Sequence, residues 1–135
     1  MGRFLAIDYG SKRIGIAVTD PLKMFVNPLL TIENKNDEFV FQELLKIFNE
    51  QDIERIVIGL PLNFHNEDTE KTKEVRAFYD KLEKMTELPM VFFNESYSTC
   101  DANDFLKSKK LGWKESKKMV DQIAAAVILT GYVRG

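Results

Sequence analysis

Apolar positions along this chain change period several times, and each change marks an element. Phe4 to Ile7 is an unbroken apolar run that ends on an acid, Asp8, and a second apolar segment follows Arg13. Short runs on either side of a Tyr9-Gly10-Ser11 turn predict two strands, Arg3–Asp8 and Arg13–Thr19, paired as a hairpin. Asp20-Pro21 ends the second strand. Asn27–Glu33 predicts a third, with Pro28 at its start or on a sheet edge. The period then becomes helical at Phe41, Leu44, Leu45 and Phe48, behind a cap at Asn36 or Asp37. The run ERIVIGLPL reads as a strand buried at the centre of a sheet. Val75, Phe78, Leu82 and Met85 form the stripe of a second helix, and MVFFNE after Pro89 is another strand, closing on Glu95. Ser98 or Thr99 can cap a third helix bearing Ala102, Phe105 and Leu106. A last helix, from about Lys117 to Tyr132, carries Val120, Ile123, Ala124, Val127 and Ile128. Three strands followed by helix-strand-helix-strand-helix-helix imply an α/β fold: a mixed five-stranded sheet with helices packed on it.

Three acids break this pattern. Asp8 ends the most core-like strand, Glu95 ends another, and Asp121 sits in the apolar periodicity of "MVDQIAAAVIL". Taken singly, each has an ordinary reading: a turn-capping acid, a solvated strand end, a charge near the positive end of a helix dipole. Together they share one peculiarity, a carboxylate embedded in core pattern, where an unpaired charge is costly. Ala124 and Ala125 leave the last helix nearly flat, so it can approach the sheet closely. Converging carboxylates repel one another, and Mg²⁺ or Mn²⁺ is the natural counter-ion for an all-oxygen site. With His65 the only histidine, a histidine-built zinc site is effectively excluded; as a loop residue, His65 reads more readily as surface than as a proton shuttle.

Length and composition narrow the setting. A chain of 135 residues suits one domain spanning 1–135, and 44% hydrophobic with 30% charged residues is ordinary for a globular protein. No apolar run approaches the roughly 20 residues needed to cross a bilayer, and the N-terminus lacks the pattern of a secretory signal. A single cysteine, Cys100, cannot form an internal disulfide and suits a reducing cytoplasm. The net charge of −2 hides an uneven distribution: Lys107 to Lys118 carries six lysines against one glutamate. Such a run is commonly a solvated face, but Trp113 beside Lys114, Lys117 and Lys118 offers a stacking surface among phosphate-neutralising charges. Lys12 and Arg13, at the turn beside Asp8, either bind phosphate or solvate a hairpin tip. The apolar residues without a core assignment, Phe64, Trp113 and Met24, form no obvious patch, so a monomer is expected.

The segments "AIDYGSKRIGIAVTDP", "IVIGLPLN", "EVRAFYDKL", "NESYST" and "VDQIAAAVIL" together resemble the YqgF (RuvX) family of bacterial RNase H-like proteins, in order and over essentially the whole chain. The resemblance implies an RNase H-like fold, divalent-metal-dependent phosphodiester cleavage and a role in trimming the 5′ end of 16S ribosomal RNA precursor. It implies Holliday-junction resolution as an alternative, because the fold is similar to that of the RuvC resolvases. The family's acidic positions fall on Asp8, Glu95 and Asp121, which would hold one or two Mg²⁺ ions without a protein nucleophile. One departure stands out: the family's usual Asp-Glu-Arg is Asn94-Glu95-Ser96 here, which removes a guanidinium able to grip a phosphate. That substitution is the best support for a rival, non-catalytic reading: an RNA-binding or ribosome-assembly factor on the same fold.

Overall fold

The computed structural model describes residues 2–63, 65, 67–94 and 120–134. Five strands, β1 (Arg3–Asp8), β2 (Arg13–Thr19), β3 (Val26–Glu33), β4 (Ile53–Leu60) and β5 (Met90–Asn94), form one sheet in the order β3-β2-β1-β4-β5. β1–β2 and β2–β3 are antiparallel; β1–β4 and β4–β5 are parallel. The expected mixed sheet and opening hairpin are therefore present. β3 lies on the edge, where Pro28 removes no needed ladder donor, opposite Ala17 just after a register shift.

Strand alternation divides the core into two layers. Leu5, Ile7, Ile14, Ile16, Ile56 and Ile58 face one side, against helices α1 (Asp37–Glu50) and α2 (Glu70–Glu83). Of the two candidate caps for α1, Asn36 is the one used, its side chain accepting the Phe39 amide at 2.8 Å. The α2 stripe is Val75, Phe78 and Leu82; Met85 falls beyond the helix end and is exposed, because the chain turns off there toward β5.

The other face is built from small residues. Ala6, Ala17 and Val57 meet the last described helix, α3 (Val120–Arg134). Its flat surface keeps Ala125 of the expected pair but replaces Ala124 by Ala126. Ala125 and Ala126 are fully buried, whereas Ala124 and Val127 are half-buried and Val120 is exposed. An apolar helix offers several candidate faces, and the fit to Ala6 and Ala17 selects among them. At the far end of α3, the Tyr132 ring packs edge-on to Phe4 (5.9 Å) and Phe93 (6.3 Å), and its hydroxyl accepts from Arg55 Nη1 at 2.8 Å. These contacts fix the helix axis across the sheet. The expected helix bearing Ala102, Phe105 and Leu106 lies outside the described residues.

Candidate active site at the carboxyl edge of the sheet

β1, β4 and β5 run parallel, so their carboxyl ends share one edge, where ligands of such sheets commonly bind. Asp8 is the last residue of β1, and β5 ends one residue before Glu95. Asp8 has the parity of Ala6, so it belongs to the face that α3 covers. Its cross-strand partner is Gly15, and the partner of Gly15 on β3 is Thr31. Asp8, Gly15 and Thr31 thus form one row across three strands.

The helix descends onto the middle of that row. A Cβ built on Gly15 would lie 1.8 Å from the Asp121 carbonyl oxygen and 2.9 Å from the Gln122 nitrogen. Only a glycine admits the first turn of α3 here. Asp121 is thereby brought beside the strand pair that carries Asp8, although the two acids lie at opposite ends of the sequence. Its carboxylate is one-quarter exposed (27%), and Oδ2 accepts a hydrogen bond from Arg13 Nε at 2.9 Å. Arg13 is itself 62% exposed.

Smaller contacts hold the hairpin tip. Asn34 donates from Nδ2 to the Gly10 carbonyl at 2.9 Å and to the Tyr9 hydroxyl at 3.3 Å, and its amide donates to the Lys12 carbonyl at 2.9 Å. Tyr9 is packed on Phe78, with ring centroids 4.6 Å apart. Among the described residues one buried side-chain group, Thr31 Oγ1, has no hydrogen-bond partner. Gly15, Thr31 and Asn34 were missed by sequence reasoning. A glycine two residues after Arg13 in a strand rich in β-branched residues was the one usable signal, since a glycine inside a strand often marks a close backbone approach.

Of the residues expected at the site, Asp8, Lys12, Arg13 and Asp121 come together at this edge. Lys12 is exposed on the tip. Arg13 takes a role that neither phosphate binding nor solvation anticipated, as ion-pair partner of Asp121. Glu95, Trp113, Lys114, Lys117 and Lys118 lie outside the described residues. His65 is exposed, its backbone amide donating to Asn63 Oδ1 at 2.9 Å. Among the described residues no group of three or more potential metal ligands surrounds one point, so Asp8 and Asp121 by themselves would be an incomplete ligand set. Their donors are carboxylate oxygens, and Asp121 already holds a cationic group; both features fit a hard divalent ion.

Comparison with known proteins agrees with this architecture. Residues 2–135 match the RuvX family, described as Holliday junction resolvase. A relative from Caldicellulosiruptor saccharolyticus, named "Putative pre-16S rRNA nuclease", is 37% identical over 133 residues, covering 97% of this chain and 96% of the relative. One of the same name from Maridesulfovibrio salexigens is 39% identical over 127 residues, covering 94% of each. Among solved structures, Thermus thermophilus RuvC bound to a Holliday junction superposes with a TM-score of 0.64 at 14% identity, over 99% of this chain and 96% of that one. The fowlpox virus Holliday junction resolvase gives 0.61 at 12% identity, over 98% of each. At such identities the structural likeness speaks for the fold, which is that of the RuvC-type, RNase H-like resolvases. With a match along nearly its whole length and relatives above one-third identical, the chain belongs to the RuvX family.

Proposed function

We propose that this protein is a divalent-metal-dependent nuclease of the cytoplasm that cuts RNA, with the 5′ flank of 16S ribosomal RNA precursor as its substrate. The observation that carries the reading is the meeting of Asp8 and Asp121 across Gly15 at the carboxyl edge of the sheet. Two carboxylates on a packed strand end and a packed helix start are held on rigid elements, as a site for phosphodiester chemistry needs. The names of the curated relatives support RNA as the substrate class.

Asp8, Glu95 and Asp121 would hold Mg²⁺ or Mn²⁺ through carboxylate oxygens. The ion, when bound, supplies Lewis acidity at the phosphate and a water of lowered pKa. The chain does the rest. Lys12 and Arg13 place positive charge beside Asp8, where a phosphodiester must approach. Trp113 with Lys114, Lys117 and Lys118 would extend that attraction along a single strand.

The test is a cleavage assay with Mg²⁺ on a single-stranded precursor RNA and, side by side, on a four-way DNA junction. The wild type is expected to cut the RNA faster, and Asp8→Asn to lose at least about 100-fold in rate, the scale on which ligands of a catalytic centre act. Faster symmetric nicking of the junction would transfer the function to the resolvase reading, which the description of the family favours. RNA binding without cleavage by the wild type would instead support an assembly factor.

A further inference from the structure

We infer that Arg13 is a resident counter-ion of Asp121, one that a divalent ion displaces and that is thereby released toward the incoming phosphate. The inference rests on the metal-site reading above and goes beyond it by assigning a second state to one side chain.

The argument starts from where Arg13 goes. As the first residue of β2 it stands opposite Glu33 of β3, an acid in its own register position. Glu33 instead lies 3.6 Å from Lys35, and Arg13 reaches across to α3, where Nε donates to Asp121 Oδ2 at 2.9 Å. One carboxylate oxygen of Asp121 is therefore taken by an N–H donor, and a guanidinium charge sits where a divalent ion would have to approach. A metal and this guanidinium cannot share that oxygen, and the two cations repel. Binding of one must weaken the other by the same factor.

The exposures set the direction of exchange. Arg13 is mostly in solvent, so it can leave Asp121 without stranding a buried charge, and pairs this exposed are weak. Asp121 is the more buried partner and stays anchored, because its backbone is locked over Gly15. A weak competitor scales metal affinity by the fraction of molecules in which it is not bound, a loss of about two- to five-fold for a pair this weak. Once displaced, the planar guanidinium remains tethered to the strand beside Asp8 and is free to bind a phosphate bidentately. Arg13 thus couples metal occupancy to substrate binding.

Titration of the full chain with Mn²⁺ alone, followed by calorimetry, tests the exchange. Arg13→Gln is expected to bind Mn²⁺ about two- to five-fold more tightly than wild type, with Arg13→Lys between them and Asp121→Asn greatly weakened. A second readout is direct. Mg²⁺, the diamagnetic ion, should shift the Arg13 Nε–H resonance of the wild type toward that of a solvated arginine. Unchanged or weaker Mn²⁺ binding by Arg13→Gln, with wild type binding and Asp121→Asn impaired, would overturn the exchange while leaving the metal site standing. No Mn²⁺ uptake by wild type would bring down both.

Discussion

An alanine at Gly15 would have to place its methyl 1.8 Å from the Asp121 carbonyl oxygen and 2.2 Å from the carbonyl carbon, so the helix backbone would have to move. Because the far end of α3 is pinned through Tyr132, the movement falls on the first turn, where Asp121 sits. Gly15→Ala is expected to destabilise the fold by about 2 kcal/mol, the scale of overpacking, and to weaken Mn²⁺ binding as well. Urea unfolding and calorimetry measure the two effects; a variant with wild-type values for both would mean that α3 does not depend on this approach. Asp20 is a second residue whose geometry yields an expectation. Its carboxylate accepts the amides of Leu22 (3.2 Å), Met24 (2.8 Å) and Phe25 (2.7 Å), and these donors, Phe25 foremost, hold its pKa below the ordinary 3.8. A depressed folded-state pKa contributes stability above the unfolded-state value, and that stability is lost as the pH falls through the folded value. Exchange of the Met24 and Phe25 amides, corrected for intrinsic rates, should therefore accelerate only below about pH 4. In Asp20→Ala it should be fast at every pH, and equal protection in the variant would contradict the assignment.

At the scale of elements, the two helices on the far face begin with caps of different consequence. Asn36 caps α1 in solvent, and Asn36→Ala should cost about 1 kcal/mol. Thr72 in α2 is fully buried. Its hydroxyl closes a reciprocal cap with Thr69 and donates to the Pro61 carbonyl, tying α2 to the chain leaving β4. Thr72→Val keeps the shape but leaves these groups unsatisfied, so a loss of about 2–3 kcal/mol is expected in urea unfolding. If Thr72→Val costs no more than Asn36→Ala, the buried bond to Pro61 contributes nothing of its own. Asn36 was legible as one of two capping candidates because Asn and Asp both favour that position. The Thr69 cap was not. Its partner is a threonine rather than the usual glutamate or glutamine, so no capping box stood out in the sequence.

Across the whole molecule, the described residues leave one apolar cluster exposed. Leu22, Met24 and Phe25 are each more than 60% exposed on the loop between β2 and β3, at the opposite end of β2 from Arg13. Met24 was expected to be left over; Leu22 and Phe25 join it because Asp20 gathers their backbone into one tight turn. Phe64 and Trp113 lie outside the described residues. Three side chains fall well short of the roughly 800 Å² that each partner buries in a stable dimer. Light scattering at micromolar concentration should therefore give the mass of one 15.6 kDa chain. A stable dimer under those conditions would contradict this and would favour paired cuts in a two-fold junction.

Local pattern alone determined a good deal of this protein. The order of the described strands and helices, the opening hairpin, the edge as one of two places for Pro28 and the oddity of Asp8 and Asp121 all follow from short-range periodicity and from the cost of burying charge. What only the tertiary structure decided is which surfaces meet. α3 is apolar nearly all round, so its sequence pointed to Ala124 with Ala125 as the flat face, and packing against Ala6 and Ala17 placed Ala125 with Ala126 there instead. The pairing of Arg13 with Asp121, the seat of the helix over Gly15 and the burial of the Thr31 hydroxyl depend on strand register combined with helix docking. Register and docking are set jointly by contacts between residues far apart in the chain, and no local window of sequence contains them.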